Sequence, residues 1–302
     1  MKTLIIIPTL NATDFIDAQL SKFNHLSSKV DIFIIDSSST DNTVQIAKTA
    51  GAEVHEISRS DFNHATTRNL ALQKEADFYL FMTQDALPCD DKLIENLLKP
   101  FDDEDVVVSY ARQIPYEDAD PIEKFARETN YPSVSVVKSK ESLKKMGIKT
   151  FFCSNSCAMY RASYFKEKGG FTEGLIMNED MEFAARAVLE GKKVAYAAEA
   201  KVWHSHRYTV KDLFKRYFDI GIFFKTNEWI QDEVDNYVST ESTGIRQATK
   251  ELAYLWENAP LFIPKSVLFS LTKYIAYKLG YYYDRLPRFL VKKFSLHQNF
   301  HP

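Results

Sequence analysis

LIIIPTLNATDFIDAQLSKFNHLSSKVDIFIIDSSSTDNT, residues 4–43, decides the fold. Leu4 to Ile7 is an apolar run that stops at Pro8, and Asp31 to Ile35 is a second that stops at Asp36. Short runs rich in isoleucine and bounded by turn formers read as buried strands. Each opens into a polar loop, PTLNATD or DSSSTDNT. A helical pattern follows each loop, from about Asp14 to Phe23 and from about Asp41 to Ala50, with Asp41 as a cap. The alternation continues outward, because Ala52 to Glu56, Phe78 to Met82 and Val106 to Tyr110 read as further strands. Strands alternating with helices predict an α/β, doubly wound, mostly parallel sheet. Such sheets bind ligands beyond the carboxyl ends of their strands, where Thr9, Asn11, Asp36, Ser38 and Asp85 fall. The phosphate fingerprint G-x-G-x-x-G is absent, which argues against a dinucleotide dehydrogenase.

A second informative stretch runs from Phe151 to His206. Glu179 and Asp180 fall at the start of a predicted helix, where the helix dipole favours carboxylates, and Arg186 lies on the same helix. A later strand delivers His204 and His206, which share a face because strand side chains alternate. Carboxylates and imidazoles on adjoining elements suit acid/base or metal chemistry. The plainer readings are an acidic helix start and packed histidines. Trp203 is expected in the core or as a wall of the acceptor site, since aromatic faces do both.

Taken together, these residues resemble the inverting family 2 glycosyltransferases of the GT-A fold. IIIPTLN resembles the family's opening strand and loop, and IIDSSSTDNT its D-x-S-x-D nucleotide loop. FMTQDA stands at the metal-binding acidic motif, with TQD a reduced form of D-x-D, and GGFTEGLIMNED resembles GGFDE followed by the ED motif. DFNHATTRN, TQDA and WHSHRYT resemble bacterial rhamnosyltransferases that build cell-wall or O-antigen polymers, although Ala65 stands where that subgroup usually shows glycine.

The resemblance implies transfer of a sugar from a nucleoside diphosphate, dTDP-L-rhamnose, to a hydroxyl of a lipid-linked glycan. It implies that Pro8, Thr9, Asn11, Asp36, Ser38, Arg68, Gln84 and Asp85 bind the donor, with Asp36 accepting the pyrimidine N3–H. Asp85 would ligate Mg2+ or Mn2+, helped by His204 or His206. Asp180 would be the general base, with Glu179 as the competing candidate. Arg68 would meet the diphosphate or hold its loop closed, since a guanidinium pairs well with phosphate. His64 is expected to be structural, with donor-sugar contact as its alternative.

Composition bounds the rest. The 302 residues suffice for a GT-A catalytic domain over 1–207 and a C-terminal helical extension over 208–302. Met1 leads through one lysine directly into a strand, so no signal peptide is read and a cytoplasmic location is expected. Cys89, Cys153 and Cys157 are an odd set without zinc-site spacing, and are expected as reduced, buried thiols. A net charge of -3 argues against nucleic-acid binding. From Ala259 onward, however, seven Lys and Arg face Asp284 alone among many aromatic residues. That tail is expected to contact the inner membrane face peripherally, with a helical cap or homodimer contact as alternatives. LFKRYFDIGIFFKTNEWI reads as an amphipathic helix and VDNYVSTESTG as a polar link. Two other functions remain: a UDP-sugar donor on the same fold, because Asp36 does not separate thymine from uracil, and a catalytically silent scaffold.

Overall fold

The computed structural model describes residues 1–27, 29–237 and 241–297, without the side chains of 241–243 and 245. Nine strands form one sheet: β1 (Thr3–Thr9), β2 (Val30–Asp36), β3 (Glu53–Glu56), β4 (Phe78–Met82), β5 (Leu87–Pro88), β6 (Val106–Ile114), β7 (Val136–Lys138), β8 (Cys157–Arg161) and β9 (Lys193–Trp203). The order is β3-β2-β1-β4-β8-β6-β9-β5, with β7 on the far part of β9. β3, β2, β1 and β4 run parallel, as the βαβ reading requires. β8 enters antiparallel between β4 and β6, and β9 then runs parallel to β6. The result is the doubly wound α/β sheet with a helical C-terminal region.

Continuous apolar runs arise because both sheet faces are covered. Leu4 and Ile6 of β1 enter one core with Tyr79 and Phe81 of β4. Ile5 and Ile7 enter the opposite core with Phe78, Leu80 and Met82. The first core continues into the C-terminal helices through Phe218, Ile222, Phe223 and Ile230. Phe165, Phe171 and Phe183 meet Tyr160 edge to face at centroid distances of 5.4–5.6 Å. This packing fixes the helix Glu179–Leu189 against the sheet.

Local boundaries shift by a few residues. The first two helices span Thr13–Asn24 and Thr43–Thr49. Asp41 precedes the Asn42 cap position rather than occupying it, but its carboxylate accepts the N–H groups of both Thr13 and Thr43, at 3.1 and 3.0 Å. One side chain thus satisfies backbone donors at the starts of two helices, and these bonds hold its carboxyl well below the usual range despite the opposing cost of burial. The amphipathic stretch after Arg207 divides at Asn227 into helices Val210–Thr226 and Glu228–Asp235. Val238, Ser239 and Thr240 of the expected polar link lie outside the described residues, as do residues 298–302 of the tail.

Candidate active site

Parallel register builds the first part of the site, because Thr9 at the end of β1 lies opposite Asp36 at the end of β2. Thr9 Oγ1 donates to Asp36 Oδ2 at 2.8 Å, while Ser39 N–H and Oγ donate to the same carboxylate at 2.8 and 2.6 Å. Asp36 is fully buried, and three of the roughly four acceptor directions of its carboxylate are taken. Ser39 Oγ also accepts the Asn11 N–H at 2.8 Å, and Asn11 Oδ1 accepts the Thr40 N–H at 2.9 Å. Asn11 and Ser38 adopt positive φ values of 48° and 61°, conformations that cost free energy for residues other than glycine. The two strand-end loops therefore form one cross-linked unit, with Pro8 in the β1 edge of it.

Gln84 extends that unit: its Oε1 accepts the Leu10 N–H at 2.8 Å and its Nε2 donates to the Leu10 carbonyl at 3.2 Å. A carboxylate could not donate the second bond, which gives a physical role to the amide that replaces an acid before Asp85. The side chain of Gln84 clamps the opening loop; the neighbouring Asp85 faces elsewhere.

Antiparallel pairing sets what Asp85 meets. Leu87 of β5 pairs with Trp203 of β9, so the residues preceding Leu87 fold back against those following Trp203. His204 Nε2 lies 3.4 Å from Asp85 Oδ1, and His206 Nδ1 lies 3.7 Å from Asp85 Oδ2. These three residues offer ligand atoms within 4.8 Å of one another. Burial disfavours the Asp85 charge, but the histidines outweigh it and hold the carboxyl well below the usual range. Burial, aided by His204, lowers His206 to about 4, leaving it neutral with a lone pair at pH 7. Trp203 stacks on Tyr116 at a centroid distance of 6.1 Å.

The proton on His204 follows from its neighbours. Gln113, 2 % exposed, places Oε1 against both Arg127 Nη1 and His204 Nδ1, the latter at 2.8 Å. Arginine only donates, so the Gln113 atom between them accepts, and His204 Nδ1 must carry a proton. In the neutral ring Nε2 is then the bare nitrogen facing Asp85. A carboxylate oxygen and an imidazole lone pair turned toward each other are bridged either by a proton or by a metal cation, and neutral imidazole with carboxylate suits Mn2+ or Mg2+. The donor set therefore fits a divalent ion.

The helix Glu179–Leu189 supplies the other carboxylates. Its first turn holds Glu179, Asp180 and Glu182, following Asn178 at φ 59°. Glu179 is buried and pairs with Arg68 Nη1 at 3.2 Å, while Asn155 Nδ2 donates to it at 3.0 Å. Burial alone would raise its pKa, but Arg68 and His64 more than offset this and lower it. Asp180 is half-buried; Asn155 N–H and Met181 N–H donate to its two oxygens, each at 2.8 Å. Burial and the adjacent Glu179 charge push its carboxyl up to about 7. Two neighbouring acids are thus separated: one is a paired anion and the other is poised near neutrality.

Arg68 is buried rather than exposed, and its Nε has no hydrogen-bond partner among the described residues. Its Nη1 also lies 3.2 Å from His64 Nδ1, and burial pushes His64 down to about 4. His297 meets the His64 ring edge to face at 5.2 Å, so the C-terminal segment reaches the Glu179 cluster. Asn69 pairs both ways with Phe171, and a Cβ on Gly170 (φ 82°) would collide with that Asn69 side chain. On the other helix neighbour, Arg186 is held by Glu182 at 2.8 Å. Asn155, Gln113, Arg127 and His297 are participants that sequence reasoning did not single out. Only Asn155 and Gln113 gave a signal, as amides inside otherwise buried segments. The cysteines are free, with Cys153 and Cys157 buried and Cys89 partly so.

The geometry has clear counterparts. A sequence profile described as glycosyl transferase family 2 matches residues 4–169, and one described as glycosyl transferase family group 2 matches residues 106–283. The O-antigen chain rhamnosyltransferase WbaN of Salmonella anatum is 41% identical, covering 98% of this chain and 94% of its own. RfbN of Salmonella typhimurium, also an O-antigen chain rhamnosyltransferase, is 41% identical over 99% of this chain and 96% of its own. Among solved structures, the mannosyltransferase PcManGT from Pyrobaculum calidifontis, in complex with GDP-Man and Mn2+, aligns with a TM-score of 0.63 at 13% identity. That alignment covers 94% of this chain and 88% of PcManGT. S. aureus TarS 1-349 in complex with UDP gives 0.56 at 16%, covering 94% and 91%. At such identities the structural likeness establishes the GT-A fold, while the sequence profile and near-full-length relatives establish descent. The chain is a glycosyltransferase enzyme and belongs to glycosyl transferase family 2.

Proposed function

We propose that this enzyme transfers L-rhamnose from dTDP-β-L-rhamnose to a hydroxyl of a lipid-linked glycan in bacterial O-antigen synthesis, with inversion and with Mg2+ or Mn2+. The observation that carries the rhamnose assignment is the 41% identity to two O-antigen chain rhamnosyltransferases along nearly the whole chain. The donor nucleotide lies across the ends of β1 and β2, where Asp36 has one acceptor direction left for a pyrimidine N3–H. Pro8, Thr9, Asn11 and Ser38 shape that loop pair, and Gln84 keeps it closed onto the turn that carries Asp85 between β4 and β5. Asp85, His204 and His206 hold the divalent ion, which when bound neutralises charge on the leaving diphosphate.

Asp180 is the base. Its free acceptor capacity takes the proton of the acceptor hydroxyl as that oxygen bonds to the anomeric carbon and the carbon–diphosphate bond breaks. Glu179 is instead the counter-ion that keeps Arg68 in place, and its charge helps raise Asp180 into a useful range. Beside His206 a cleft of about 310 Å³, lined by Tyr116, Asp120, Glu123 and Arg207 among others, gives the acceptor glycan an approach. Residues 208–302 form the extension on the acceptor and membrane side, at the cytoplasmic face.

The donor assignment is tested with purified protein and Mn2+, measuring nucleoside diphosphate release from dTDP-L-rhamnose, UDP-glucose and UDP-N-acetylglucosamine. Release confined to dTDP-L-rhamnose is the expected result. Selective use of a UDP-sugar would keep fold and chemistry but overturn the substrate.

A further inference from the structure

The helix Ile263–Tyr281 has two contrasting faces. Phe269, Thr272, Ala276 and Gly280 are buried on its inner side. The partner there is the helix Val210–Thr226, and the approach is close: a Cβ on Gly280 would run into the Phe218 carbonyl, and one on Gly221 into the Tyr277 carbonyl. This contact fixes which side turns outward. Leu268, Leu271, Tyr274 and Ile275 lie on the outer side, each half or more exposed, and Tyr282 continues the same line one turn beyond Lys278. Positions 268, 271, 275, 278 and 282 share a helix face, so the exposure is a stripe rather than scattered residues.

Cations border the stripe. Lys278 Nζ lies over the Tyr274 ring at 5.9 Å, and the Arg285 guanidinium over Tyr282 at 4.7 Å. The short helix Arg288–Phe294 adds Lys292 and Lys293 beside Phe289, which is 69% exposed. Among the described residues, the ion pairs of the C-terminal helices are Lys225–Glu228 and Lys265–Asp120, so Lys278, Arg285, Lys292 and Lys293 stand outside them. Residues 259–302 hold seven of the 38 Lys and Arg but one of the 41 Asp and Glu, so the remainder of the chain is negative.

We propose that this stripe and its cations form a docking surface for an anionic lipid bilayer, with Leu268, Leu271, Ile275 and Phe289 entering the interface. Charge selects the occupant. A second copy meeting this face symmetrically would bring two positive surfaces together, whereas an anionic leaflet complements both the cations and the apolar residues. No helix among the described residues is long and apolar enough to cross a membrane, and the buried inner face of this one keeps it attached to the catalytic core. It therefore lies in the interface plane. Binding is independent of the donor sugar; it would serve the lipid-linked acceptor of the proposed function, on which its biological purpose rests.

The test is cosedimentation of the full chain with phosphatidylglycerol-containing vesicles and with pure phosphatidylcholine vesicles, without donor or acceptor. Binding to the anionic vesicles, weakened by salt and reduced at least about tenfold in Leu271→Glu/Ile275→Glu, is expected. Thermal melting and circular dichroism verify that variant's fold; should it melt early, Lys292→Glu/Lys293→Glu provides the same comparison from the exposed helix. Equal binding by the folded variants, or no vesicle binding by the wild type, overturns the proposal. A wild-type dimer in light scattering that Leu271→Glu/Ile275→Glu splits, without any vesicle binding, would assign the face to a second copy.

Discussion

Asp180→Asn lowers the transfer rate by about 10²–10⁴-fold, the usual contribution of a positioned general base, while the protein remains folded. The side chain keeps its size and its place at the helix start, but the group that takes the acceptor proton is gone. Steady-state kinetics beside circular dichroism measure this; a variant within a few-fold of wild type would remove Asp180 from the chemistry. The wild-type rate rises as pH passes through about 7, because Asp180 must be ionised and burial with Glu179 places its pKa there.

The stability sign runs the other way. The folded pKa of Asp180 is raised above the ordinary 3.8, so between those two values the folded chain holds the proton more firmly than the unfolded chain. Its favourable contribution is present at low pH and is lost as pH rises through about 7. Denaturant unfolding of wild type and Asp180→Asn should therefore show the variant gaining on the order of 1 kcal/mol or more relative to wild type between about pH 5 and about pH 8. Unchanged differences across that range would mean that Asp180 titrates normally.

The second large effect concerns the metal trio. Asp85→Ala removes its sole carboxylate, and transfer should fall on the order of 10²–10³-fold as charge on the leaving diphosphate goes uncompensated. Mn2+ binding, followed by electron paramagnetic resonance or calorimetry, should disappear with it. Gln113→Leu touches no ligand atom directly, yet it frees the His204 ring to rotate and to exchange its protonated nitrogen. Its expected cost is about 10–100-fold in Mn2+ affinity, as for other residues that orient a metal-bound histidine. Mn2+ binding unaltered by Asp85→Ala would remove the trio as the metal site. Binding lost in Asp85→Ala but unaltered in Gln113→Leu would leave the site and remove only the orienting role.

The sequence was informative where chemistry sits at the ends of apolar runs. Thr9 and Asp36 stand at the two places where isoleucine-rich strands turn polar, and parallel register then pairs them. Asp85 and His204 were legible through motif resemblance, though their meeting depends on the two-residue strand β5 folding back on β9. No periodicity announces so short a strand. β8 running antiparallel was equally hidden, because a strand's direction is set by its connections and not by its residues.

Gln113 shows what local reading cannot reach. It is one polar residue in a buried strand, and its partners Ser154 and His204 lie 41 and 91 positions away. Glu179 and Asp180 likewise look alike in sequence as two acids at a helix start. Only the buried Arg68 beside one, and backbone donors alone beside the other, separate the ion-pair partner from the poised carboxyl. His297 comes from the far end of the chain, brought to His64 by a segment in which the Leu296 N–H is held by Asp219 at 2.9 Å.

The central claim is a single displacement at the anomeric carbon with Asp180 on the face opposite the diphosphate. Its most direct test is the anomeric configuration of the rhamnoside formed from dTDP-β-L-rhamnose and a lipid-linked glycan acceptor, read by nuclear magnetic resonance of the isolated product. An α-L-rhamnoside, formed about 10²–10⁴-fold more slowly by Asp180→Asn, is the predicted result; a β-L-rhamnoside would contradict single displacement and the role given to Asp180.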